Sequence, residues 1–176
     1  VPGRDALHPI LTAAARCPDH GKLEPWRFIV LERTALKRLA ELVSVRGGSL
    51  GLNEDDIAKG RAQFAEGRLA VAVIEARRQS EKVPQIEQTY SAGAACLSLL
   101  NAALASGWGA NWLTGWPAHD RQFVETGLGL ATDERVAGFI HIGTESSAPP
   151  ERPRPDIDAI VLGTPDARSA RLLVFH

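Results

Sequence analysis

A chain of 176 residues, 44% of them hydrophobic and 23% charged, is sized for one globular domain around one main core. Its net charge of −1, with no basic run, excludes the electrostatic footprint of a nucleic-acid binder or of a protein held on an anionic membrane. The longest apolar stretch, Ser91 to Gly107, is broken by Ser98, Asn101 and Ser106 and is too short and polar to span a bilayer.

The first element reads as an amphipathic helix, because Leu7, Ile10, Leu11 and Ala14 recur at helical spacing. Pro18 bars regular helix at Cys17 and ends it there. Arg27 to Leu31 reads as a short buried strand. Thr34 to Val45 reads as a helix with Leu36, Leu39, Ala40 and Val43 on one face and Thr34 as a candidate cap. Gly47, Gly48 and Gly51 read as a loop. Asn53 then starts another helix, whose Asp55 and Asp56 suit the positive end of the helix dipole. Arg68 to Ala76 is apolar enough for a central strand.

Pro84 opens the longest helix, Gln85 to Ser106, and Gly107 closes it. Its middle, Ser91 to Cys96, is nearly all small residues, which suits tight packing on the sheet or on a symmetry mate. Gly109 to Thr114 reads as a strand, Gly115-Trp116-Pro117 as a turn, Asp120 to Leu128 as a helix and Arg135 to Gly143 as the last clear strand. From about residue 145 the composition shifts to Ser, Pro, Glu and Arg, the signature of an extended arm. Ile157 to Leu162 and Arg171 to Phe175 are short apolar pieces beyond it. The whole, 1–176, reads as a single α+β domain with that C-terminal arm.

Cys17 and Cys96 are not spaced as a metal site and read as buried free thiols. His8, His20, His119, His141 and His176 are scattered, so no metal is expected. No Rossmann fingerprint, P-loop, nucleophile elbow or repeat is present. With no signal-peptide pattern, the expected location is the cytoplasm.

Three places could carry chemistry. The turn Arg16 to Lys22 gathers Arg16 and His20, as donors for a phosphate or polarised carbonyl or as a helix C-cap cation and a turn histidine bonded to backbone. Gly107 to Trp116 holds three tryptophans among glycines, as an aromatic wall for a planar ligand or as core packing. Arg152 and Arg154, on the arm, could reach a phosphate or be solvated.

Taken together, these segments resemble the flavin-dependent NAD(P)H nitroreductases, in particular the small YdjA-like branch. The similarity runs through Pro18-Asp19-His20-Gly21-Lys22-Leu23, then Pro25-Trp26-Arg27-Phe28. It continues in Val83-Pro84, Glu87-Gln88 and Ser91-Ala92-Gly93-Ala94, in Gly107 to Trp116, and in Asp133 to Thr144. The resemblance implies a mostly antiparallel central sheet flanked by helices, in an interlocked homodimer with FMN at the interface. By position it implies Arg16 and His20 as FMN contacts shared across the dimer. Trp112, Leu113 and Thr114 would form the second FMN-binding strand. Ala102, Ala103, Leu104, Ala105, Ser106 and Gly107 would lie where the nicotinamide is received.

The implied activity is ping-pong: NAD(P)H reduces the flavin and a small-molecule acceptor, such as a nitroaromatic or quinone, reoxidises it. No protein nucleophile is required. Enone reduction, dehalogenation and non-catalytic flavin binding are the alternatives on the same scaffold. His20 would donate a hydrogen bond or bear charge near the flavin. Two departures from the family pattern stand out. Its Arg-Arg-Ser segment for the FMN phosphate has no counterpart in this sequence, so Arg152 and Arg154 substitute only if the arm folds back. Relatives carry Arg at the position of Leu113, and its absence removes a charge near the flavin.

Overall fold

The computed structural model describes residues 1–147 and 149–161. Leu162 and the apolar piece at 171–175 lie outside the described residues. In chain order the elements are α1 (Arg4–Ala14), β1 (Trp26–Glu32), α2 (Arg33–Ser49), α3 (Glu54–Ala65), β2 (Leu69–Glu75) and α4 (Gln85–Ala105). They continue with β3 (Gly109–Leu113), α5 (Arg121–Leu128), β4 (Arg135–Gly143) and the single turn α6 (Ile157–Ile160).

β2 is the centre because it is apolar along its whole length. Every residue from Leu69 to Glu75 is buried, as a strand covered on both faces requires. Around it the order is β1-β2-β4-β3, and each neighbouring pair runs antiparallel. Side chains alternate between two cores with the period of a strand. Ala70, Ala72 and Ile74 meet Leu36, Leu39 and Val43 of α2, Phe64 of α3 and Phe123 of α5. Leu69, Val71 and Val73 meet Leu7, Ile10 and Ala14 of α1 and Ala95, Cys96, Leu99 and Ala103 of α4. The expected helix-flanked antiparallel sheet is therefore present. A register shift at Val73/Ile74 lets Val136 and Phe139 of β4 both enter the first core, although they are three apart.

The long helix ends as its sequence directs. Gly107, at φ 81°, donates to Leu104 O and Trp108 donates to Ala103 O, the paired bonds of a Schellman motif. Asn53 caps α3 by accepting from Asp56 N at 2.8 Å. Two expectations fail at α2. Thr34 is not its cap, because the helix starts at Arg33 directly from β1. Gly47 and Gly48 are helical rather than loop, and the chain turns only at Gly51, φ 67°. The reason is tertiary: a Cβ on Gly47 would lie 2.6 Å from Ile57 Cγ1, so glycine here admits α3 rather than breaking α2.

Contacts divide the chain into Val1–Ser146 and Ser147–His176. Within the second unit, Arg154 pairs with Glu151, and Asp156 caps α6 by accepting from Asp158 N at 3.0 Å. No helix among the described residues is long and apolar enough to cross a membrane.

Candidate flavin site

The segment between α1 and β1 is a strained turn clamped on α4. Gly21, Lys22 and Glu24 have φ of 74°, 53° and 48°. For Lys22 and Glu24 that conformation costs on the order of 1 kcal/mol each and persists only where the surroundings impose it. Asp19 imposes it from within, its carboxylate accepting from Leu23 N at 3.1 Å and Glu24 N at 2.8 Å. Ser91 of α4 imposes it from outside, its hydroxyl donating to Pro18 O at 2.6 Å and accepting from Trp26 Nε1 at 3.1 Å.

His20 lies on this turn with Nδ1 2.5 Å from Glu87 Oε2, in the first turn of α4. It is bonded to a carboxylate, not to backbone. Arg16 is exposed, lies beyond α1 and makes no side-chain hydrogen bond among the described residues. His20 is thus held by Glu87, and Arg16 makes no capping contact from its side chain among the described residues.

On β3, Trp112 and Leu113 face opposite sides of the sheet. Trp112 pairs with Ile140, part of the α1–α4 core, and Leu113 with Phe139, part of the α2–α5 core. Trp112 is 37% exposed. It rests on Gly138, where a Cβ would stand 2.0 Å from the indole Nε1. The tryptophan run forms no continuous aromatic wall. Trp108 packs on one core and Trp116 on the other, with Trp116 Nε1 donating to Asp56 O at 3.1 Å.

After Thr114 the chain turns at Gly115, φ 71°, and the Gln63 amide of α3 fills the space a side chain would take, 2.4 Å from its Cβ position. Gln63 Oε1 is buried and has no hydrogen-bond partner among the described residues. A buried acceptor left unpaired costs about 1–3 kcal/mol. The amide nitrogen of the same side chain is the atom beside Gly115, just past the end of the strand that the sequence singles out.

These parts lead to opposite edges of the sheet. The turn feeds β1, and Trp112 to Thr114 close β3, the opposite edge strand. Three inter-strand spacings of roughly 4.8 Å separate the two edges. Ala102 to Gly107 lie at the other end of β3, beside Gly109. There Ala103 is buried in the core, and Leu104, Ala105, Ser106 and Gly107 are exposed.

A cleft of about 550 Å³ lies beside Glu75, Thr89, Gly93, Arg121, Arg135 and Ala137. Glu75 pairs with Arg77 at 2.6 Å; Arg121 Nε lies 2.8 Å from Glu125, but Arg121 Nε and Nη2 are buried without a well-formed hydrogen bond among the described residues. The cysteines are inert. Burial, with Cys17 nearby, pushes the Cys96 thiol up to about 12, and burial also raises Cys17. Among the described residues no group of His, Cys, Asp and Glu could hold a metal ion. On the arm, Arg154 Nη1 is taken by Glu151 and by Arg152 O.

A sequence profile of the Nitroreductase family matches residues 2–144. The chain belongs to the nitroreductase family. It is 32% identical over 146 residues to the Escherichia coli K12 protein named "Putative NAD(P)H nitroreductase YdjA", covering 82% of this chain and 78% of that one. A Haemophilus influenzae protein named in the same terms is 33% identical over 145 residues, again covering 82% and 78%. Among solved structures, a nitroreductase-like protein of Bacillus cereus superposes with a TM-score of 0.75 at 23% identity, covering 93% of this chain and 86% of that one. A Desulfovibrio desulfuricans nitroreductase in complex with FMN superposes with a TM-score of 0.70 at 19% identity, covering 94% and 87%.

Within this nitroreductase, sequence reasoning did not single out Glu87, Ser91 and Asp19, which hold the turn, or Gln63, whose amide lies beside Gly115. Glu87, Ser91 and Asp19 stand inside the motifs that carry the family resemblance, so a signal existed. Gln63 has none: a glutamine between Ala62 and Phe64 on a helix reads as a solvated position.

Proposed function

We propose that this nitroreductase is an FMN-dependent oxidoreductase that uses NAD(P)H to reduce a small-molecule acceptor, such as a nitroaromatic or quinone, by a ping-pong cycle. The names of its relatives and the FMN complex of a fold neighbour support the reading. The observation that carries it is the strained turn that presents His20, held from within by Asp19 and clamped on α4 by Ser91, with the Gln63 amide beside Gly115 at the end of the strand proposed to bind FMN. A flavin ring brings polar edges and a flat apolar face, and the residues present fit both. The Gln63 amide beside Gly115 would meet a polar ring edge, and the exposed Trp112 would pack on apolar ring surface.

The remaining contacts would come from a second copy of the chain. Arg16 and His20 sit at the opposite edge from Trp112, Leu113 and Thr114, so a homodimer is the arrangement that joins them. α4 carries a seam for it. Ile86, Tyr90, Gly93, Leu97, Leu100 and Leu104 recur in the alternating four-and-three spacing of packed helices. Ile86, Tyr90, Leu97 and Leu104 are 52%, 68%, 51% and 49% exposed in the single chain. Gly93 has open space where its side chain would be.

When bound, FMN supplies the site that takes hydride from the nicotinamide and passes reducing equivalents to the acceptor. The chain's own task is to hold, orient and exclude water. Arg16, exposed and without a side-chain hydrogen bond among the described residues, would meet the cofactor's charge, and His20 would offer a ring nitrogen. Ala102 to Gly107, a strand's length from Trp112 in their own chain, would meet the nicotinamide. The test is a visible spectrum of the purified protein under anaerobic conditions. A flavin band near about 450 nm that bleaches on adding NADH or NADPH is expected. A colourless protein that takes up no added FMN would contradict the reading.

A further inference from the structure

We infer that Glu87 is a positioning residue for His20: it fixes the imidazole with Nδ1–H toward α4 and leaves Nε2 as the nitrogen offered to the cofactor. The inference rests on the reading of His20 as a flavin contact.

An ionised carboxylate can only accept, so the 2.5 Å approach of Nδ1 to Glu87 Oε2 puts a hydrogen on Nδ1. That determines which nitrogen is left over. The His20 side chain is 61% exposed, and Nε2 has no partner among the described residues. An imidazole used as a ligand is commonly oriented by a hydrogen bond to its other nitrogen.

The support behind the ring is built rather than incidental. Glu87 and Ser91 are one helical turn apart on the same face of α4. Ser91 holds the turn's backbone at Pro18 O while Glu87 holds its side chain at His20. Asp19 ties down the strained residues that follow. One helix face therefore sets both the position and the rotation of the imidazole. The same helix carries the proposed dimer seam.

The experiment is a cycle of FMN dissociation constants, measured by titrating the deflavinated protein. It compares wild type, Glu87→Ala, His20→Ala and the double variant, with Glu87→Gln alongside. Glu87→Ala should weaken FMN binding about 10-fold, as loss of an orienting partner does. In the His20→Ala background it should add nothing, because there is no ring left to orient. Glu87→Gln should stay within about 3-fold of wild type, since its carbonyl still accepts from Nδ1–H. His20→Gln should retain more affinity than His20→Asn, because the Gln amide reaches nearer to the place of Nε2.

Full additivity of Glu87→Ala with His20→Ala would show that Glu87 acts through the fold, and would overturn the proposal. So would wild-type affinity in Glu87→Ala beside a weakened His20→Ala. Wild-type affinity in His20→Ala would instead remove the reading of His20 on which the proposal rests.

Discussion

Gln63 separates the cost of a site from its use. In the free chain its carbonyl oxygen is buried without a partner, so replacing it with an apolar side chain of similar reach removes a penalty. Gln63→Leu should leave the melting temperature of the cofactor-free protein unchanged or raised, and weaken FMN binding by about 10-fold, the worth of one hydrogen bond. A stability loss in the free protein, with FMN affinity intact, would remove Gln63 from the site. His141 is a second partly buried polar residue, its Nε2 also buried without a partner among the described residues. Burial holds its imidazolium form below the ordinary range. The unfolded chain therefore binds the proton first as pH falls. This contribution to stability is complete above about pH 6.5 and is lost below it, through the lowered folded value. Asp120 and Glu134 act further down the scale. Hydrogen bonds from Arg46 and Arg27 hold their carboxyls below the usual range. Their stabilisation is present at neutral pH and is lost as pH falls through about 4 and below. Thermal melts from pH 8 to pH 3 should thus show a shallow loss near pH 6 and a steeper one near pH 4. Replacing His141 with Gln should abolish only the first.

Among the elements, α5 depends on one residue with two duties. Asp120 caps it, accepting from Phe123 N at 2.7 Å, and grips the Arg46 guanidinium with both oxygens at 2.9 Å. Asp120→Ala should cost about 1–2 kcal/mol from the cap alone, with the lost pair adding to it, readable in a denaturant titration. The glycines of α2 offer a sharper contrast. Both are helical, where Gly to Ala ordinarily gains up to about 1 kcal/mol. Gly48 has nothing within 4 Å of a built Cβ, whereas Gly47 meets Ile57 at 2.6 Å. Gly48→Ala should raise the melting temperature and Gly47→Ala should lower it. The pair also shows how far the sequence can be read. The apolar run of β2, the Asn53 cap and the Gly107 stop are local signals, and each stands where its chemistry puts it. Gly47-Gly48 carries the same local signal as a loop, and only the approach of α3 distinguishes it. The site divides in the same way. His20 and Trp112 stand in dense, unusual segments that draw attention. Gln63 gains meaning only from Gly115, a residue on another element.

For the whole molecule, the central claim is a flavin site completed by a second copy. Leu97 is exposed on the α4 seam, and Gly93 has open space on the same helix. Leu97→Glu or Gly93→Leu should therefore leave the fold of the single chain intact, convert the dimer to monomer in sedimentation, and release FMN with it. The most direct measurement is complementation within the dimer. One chain would carry Arg16→Ala with His20→Ala, the other Gln63→Leu with Trp112→Ala, each failing to retain FMN alone. Co-expressed, half of randomly assorted dimers contain one of each, and every such dimer has one site with both halves intact. The account predicts that FMN returns to about a quarter of the wild-type sites, all of it in the mixed dimer. If mixed dimers form and bind no FMN, the site is not shared between subunits and the account is contradicted.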